Sequence, residues 1–80
     1  MLRSLSMRVK SLNTIPGRGI IARVELGGVA AVHVKPGVLV HQKDSAWRVK
    51  GVEFGSVRQT EIGLIFEEKY GAPSVGEVQL

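Results

Sequence analysis

Apolar residues in this 80-residue chain recur at every second position, and no window of about eleven residues free of Gly and Pro carries the i, i+3, i+4, i+7 stripe of an amphipathic helix. A period of two puts alternate side chains on opposite faces of an extended strand. In the run that starts at Gly19, Ala22, Val24 and Leu26 share one face while Arg23 and Glu25 share the other. Six such runs are read as strands, at residues 7–12, 19–26, 29–34, 37–42, 47–54 and 62–67. Pro16-Gly17, Gly27-Gly28, Pro36-Gly37, Lys43-Asp44-Ser45 and Gly55-Ser56 separate them. Proline sets φ at the first turn position and glycine accepts positive φ at the next, so Ile15–Arg18 and Lys35–Val38 both suit a type II turn.

The expected fold is all-β. Short strands at this spacing in so short a chain predict a small closed or nearly closed Greek-key-like barrel of about six strands, since closure removes exposed sheet edges. The expected core is Met7, Val9, Ala22, Val24, Leu26, Val38, Val40, Val49, Val52, Ile62, Leu64 and Phe66. Along residues 47–54 the apolar parity shifts from odd to even across Gly51, which predicts a bulge or sharp bend there. The barrel is expected to occupy residues 1–68. Residues 69–80, which contain Gly71, Pro73 and Gly76, are expected to form a tail that is flexible or packs on a partner.

A chain of this length forms one domain and buries only about 60 to 65 per cent of its unfolded surface. Without cysteine, neither a disulfide nor a thiolate metal site reinforces that core, and association between subunits becomes attractive. The segment 27–34, Gly-Gly-Val-Ala-Ala-Val-His-Val, is apolar, uncharged and rich in β-formers. Burial against a second copy would protect it, so a homo-oligomer is expected, with Val29, Val32, Val34, Val78 and Leu80 as interface candidates. No stretch of 18 apolar residues and no signal-peptide core are present, so the expected setting is the cytoplasm, without a membrane partner. Met7, where the strand pattern begins, is an alternative start to Met1.

Eleven Lys and Arg against seven Asp and Glu leave a net charge of +4 and a pI near 10.0, a mild preference for polyanions. The basic residues are scattered, so a disordered nucleic-acid arm is not indicated. Gly17-Arg18-Gly19-Ile20-Ile21-Ala22 matches G-x-G-x-x-G/A in letters, but a turn precedes it and a strand follows, and the cofactor's phosphate needs a helix N-terminus. His33 and His41 read as plain strand positions rather than metal ligands. Ser45, near Asp44 and His41, lacks a nucleophile elbow. The chain is therefore expected to be no enzyme and to hold no cofactor and no metal.

Four stretches carry a family resemblance. Residues 15–27, Ile-Pro-Gly-Arg-Gly-Ile-Ile-Ala-Arg-Val-Glu-Leu-Gly, are followed in order by Val34-Lys35-Pro36-Gly37-Val38-Leu39-Val40, Trp47-Arg48-Val49-Lys50-Gly51-Val52-Glu53-Phe54 and Ile62-Gly63-Leu64-Ile65-Phe66. Together, over about residues 7–67, they resemble the second domain of translational GTPases of the elongation factor Tu type, a β-barrel. No G-x-x-x-x-G-K-[ST] loop is present, so GTP is not an expected partner. In that family the glutamate of the Gly-Val-Glu strand helps form the pocket for the terminal adenosine of aminoacyl-tRNA, and the matching residue is Glu53. Glu61 stands where the family has a second pocket residue, asparagine, and its extra charge would repel a phosphodiester end.

The expected function is that of a stand-alone, non-catalytic binding module that contacts structured RNA or a ribonucleoprotein through an outward basic face. Arg18, in its glycine-flanked turn, and Arg23, Arg48 and Lys50, on outward strand positions, are the candidate phosphate contacts. The last three form one stripe only if their strands are neighbours. Trp47 and Glu53 are weaker candidates for a small-molecule pocket at the barrel mouth. The alternative is a protein-interaction or self-assembly module that binds no nucleic acid.

Overall fold

The computed structural model describes residues 6–27, 34–53 and 60–80. They form one antiparallel sheet from β1 (Ser6–Ile15), β2 (Gly19–Glu25), β3 (Leu39–Gln42), β4 (Ser45–Arg48), β5 (Gly51–Glu53), β6 (Glu61–Phe66) and β7 (Gly76–Gln79). The strand order is β4-β3-β7-β1-β2-β6-β5. Among the described residues one 3-10 turn, Glu68–Tyr70, follows β6. Among the described residues no helix is long and apolar enough to cross a membrane.

Both type II turns form as expected. Arg18 N–H donates to the Ile15 carbonyl at 2.9 Å and Val38 N–H to that of Lys35 at 3.2 Å, with φ +80° at Gly17 and +98° at Gly37. The turns start β2 and β3 in the right register. Gly19 meets a different demand, because at φ +119° it lies so close to β6 that an added Cβ would collide with the Phe66 carbonyl oxygen. The pair of glycines around Arg18 thus serves the backbone, one at a turn and one at a strand crossing.

Met7, Val9, Ala22, Val24, Leu26, Val34, Val40, Val49, Ile62, Leu64, Phe66 and Val78 form a continuous buried core. Val38 and Val52, expected inside, are only partly buried against it. The correction concerns Val34 and Val78. Expected at an oligomer interface, they are 2% and 1% exposed within their own chain. Leu80 is also partly buried against that core, whereas Val29 and Val32 lie outside the described residues.

The tail expectation is overturned for the same reason. Residues 76–79 pair with β1 from Ser6↔Gln79 to Val9↔Gly76, and Gln79 lies opposite His41 of β3. Alternation through Glu77, Val78 and Gln79 supplies a strand with one apolar face, and β1 would otherwise present an open edge. The Gln42 side chain fastens the approach to β7: its Nε2 donates to the Ser74 carbonyl at 2.9 Å, and Ser74 N–H donates to its Oε1 at 2.8 Å.

The expected single strand 47–54 is split. β4 pairs with β3 and β5 with β6, so consecutive segments occupy opposite ends of the strand order; Phe54 lies outside the described residues. Val49 bonds toward β3, accepting from Gly37 N–H at 2.7 Å and donating to the Val38 carbonyl at 2.9 Å. Lys50 N–H then donates to the Ile65 carbonyl of β6 at 2.7 Å. Because two residues span only about 10 Å, the sheet curls until its end strands come together at this connector. Among the described residues no ladder joins β4 to β5, so the sheet is not closed. The parity shift near Gly51 marks this change of partner, and the actual bulge lies in β1, where the register slips between Val9 and Ser11.

Candidate nucleic-acid interface

The connector from β4 to β5 brings Trp47, Arg48 and Lys50 beside the turn that follows β6. Trp47 is half-buried, and its indole N–H donates to the Tyr70 carbonyl at 3.2 Å. That bond ties the 3-10 turn to β4. Gly71, at φ +77°, continues the chain where an added Cβ would lie 3.9 Å from the indole nitrogen. Tyr70 itself remains 68% exposed, and the Lys69 ammonium sits 4.9 Å from its ring centroid, a cation–π contact.

The result is a groove of about 640 Å³ lined by Leu39, Trp47, Arg48, Lys50, Glu67 and Tyr70 among others. Phe66, buried, closes its floor. The Arg48 guanidinium donates to the Gly37 carbonyl at 3.0 Å, which holds it along the rim. Lys50 and Glu67 also line a second depression of about 320 Å³, with Arg18, Glu68 and Lys69. Four cations, Arg18, Arg48, Lys50 and Lys69, therefore surround two adjoining hollows, offset by Glu67 and Glu68.

Arg23 does not belong to this surface. Three strands separate β2 from β4, so the expected stripe of Arg23, Arg48 and Lys50 does not form. Arg23 instead lies 3.7 Å from Glu61, and Lys10 bridges Glu61 and Glu25 at 3.6 Å each. Such exposed pairs each contribute about 0–1 kcal/mol. Glu53 and Arg23 line a third hollow, of about 130 Å³, with Ser11, Asn13, Glu61 and Gly63. Among the described residues Trp47 and Glu53 thus line separate hollows rather than the one pocket expected of them.

His41 is an exposed β3 residue opposite Ala46, and Asp44 and Ser45 are exposed at the β3–β4 hairpin; His33 lies outside the described residues. Among the described residues no three His, Asp or Glu side chains gather as metal ligands. Sequence reasoning missed Lys69 and Tyr70, which it assigned to the tail. The available signal was Trp47, since the indole N–H of a half-buried tryptophan seeks an acceptor and Tyr70 supplies its main-chain carbonyl.

Comparison of the chain with protein-family models, curated proteins and solved structures gave no match in any of the three. The likeness to elongation factor Tu domain II rests on the four sequence stretches quoted above.

Proposed function

We propose that this protein is a non-catalytic binding module that contacts structured RNA, free or within a ribonucleoprotein, through the surface around Lys50. The observation that carries this role is the convergence of Arg18, Arg48, Lys50 and Lys69 on two adjoining hollows. Cations spaced around concave ground suit a folded phosphate backbone, and the net charge of +4 favours the encounter. The resemblance adds a translation-type barrel as the scaffold, and the short join between the two end strands of the sheet supports that shape. Self-assembly is the second role, but two residues that suggested it, Val34 and Val78, are occupied in the chain's own core.

Fluorescence anisotropy with a labelled structured RNA and a matched DNA duplex, at low and physiological salt, tests this role. Expected is binding that prefers RNA and weakens steeply with salt, the slope falling by about 1 for each contacting cation removed. An Arg48→Glu/Lys50→Glu variant should lose binding, while Arg23→Gln should retain it. Absence of RNA binding at low salt, or equal loss in both variants, would reject the surface. Salt-insensitive self-association in its place would put self-assembly first.

A further inference from the structure

We propose that the Trp47–Tyr70 groove is a subsite for one unpaired nucleotide, its base against the aromatic side chains and its phosphate toward Lys50 and Arg18; the inference rests on the RNA-binding role above. Three features support it. First, the indole N–H is already satisfied by the Tyr70 carbonyl, so Trp47 is held in place with no polar need of its own. Second, Tyr70 is 68% exposed and Leu39 41% exposed, a large apolar and aromatic surface left open in a small domain. Base stacking on such rings tolerates any base, because every base has a π-face. Third, the groove of about 640 Å³ falls within the roughly 300–1,000 Å³ range of small-ligand sites. Its rim carries Arg48 and Lys50 with Glu67 and continues to Arg18 and Lys69 with Glu68, so four cations outweigh two carboxylates where an attached phosphate would lie.

Charge and shape together select this occupant. A neutral aromatic ligand would leave the rim cations unused, and a fully paired duplex has no free base to offer the ring. Glu53, the residue the family resemblance would place at a terminal adenosine, lines a different hollow, so this subsite is separate from that one.

Trp47 is the only tryptophan, which makes its emission a direct reporter of the groove. The test titrates adenosine 5′-monophosphate and adenosine against wild type, Tyr70→Ala and Lys50→Gln. Tyr70 holds Trp47 through its main-chain carbonyl and its ring is exposed, so Tyr70→Ala retains the fold, checked by far-UV circular dichroism. Expected is a saturable change in wild-type emission, with affinity for both ligands at least about fivefold weaker in Tyr70→Ala. Lys50→Gln should weaken the monophosphate and leave adenosine unchanged. The subsite is rejected if the monophosphate leaves emission unaltered up to about 10 mM, well above a millimolar dissociation constant. Equal affinities in wild type and Tyr70→Ala would reject it too. If structured RNA still binds with its salt dependence in either case, only the nucleotide subsite falls; if RNA binding is absent as well, both do.

Discussion

Gly17 and Gly19 flank one arginine and resemble a phosphate-loop fragment, yet each answers a different backbone demand. Gly17 sits at φ +80° with nothing within 4 Å of where a Cβ would be, whereas at Gly19 the same atom would strike the Phe66 carbonyl. Gly17→Ala should therefore cost about 1–2 kcal/mol from left-handed backbone strain alone. Gly19→Ala should cost clearly more, since β2 must also move away from β6. Urea denaturation of the two variants checks the order, and equal losses would show that the crossing relaxes without strain. Residue-level patterning predicted the turn at Gly17; the contact at Gly19 depends on Phe66, 47 positions later.

At the scale of elements, β7 shows how a strand can be hidden in a tail. Its alternation is only four residues long, and the Gly and Pro residues before it read as a flexible lead. What makes it a strand is the partner: β1 lacks a neighbour on that side until Gly76–Gln79 arrive, and Val78 then completes the core. Val78→Asp buries an unpaired carboxylate and should unfold the domain or lower its melting temperature by many degrees. Glu77→Lys, at an exposed position of the same strand, should leave it within about 0.5 kcal/mol of wild type. Thermal unfolding followed by circular dichroism distinguishes this from a detachable tail, for which both variants would match wild type. The split of residues 47–54 into β4 and β5 belongs to the same scale. The odd-to-even shift of Val49 and Val52 was visible in the chain, but a bulge and a change of partner leave the same trace there.

For the whole molecule, the connector at Val49 and Lys50 is the point where the two ends of the strand order meet. Lys50→Pro removes the N–H that donates to Ile65 at 2.7 Å and should cost at least about 1 kcal/mol. Lys50→Gln keeps that bond and should leave stability unchanged while weakening RNA binding, so chemical denaturation and anisotropy together separate the two roles of one residue. Unchanged stability in Lys50→Pro would mean that the sheet does not depend on this junction. The apolar period of two determined that the chain is β, where most strands lie, and most of its core, because alternation and turn chemistry act over a few residues. Only the tertiary structure decided which strands are neighbours. That decision separated Arg23 from Arg48, placed Val34 and Val78 inside and set Tyr70 beside Trp47. Strand order depends on hydrogen bonds and burial between residues far apart in sequence, and no local pattern encodes them.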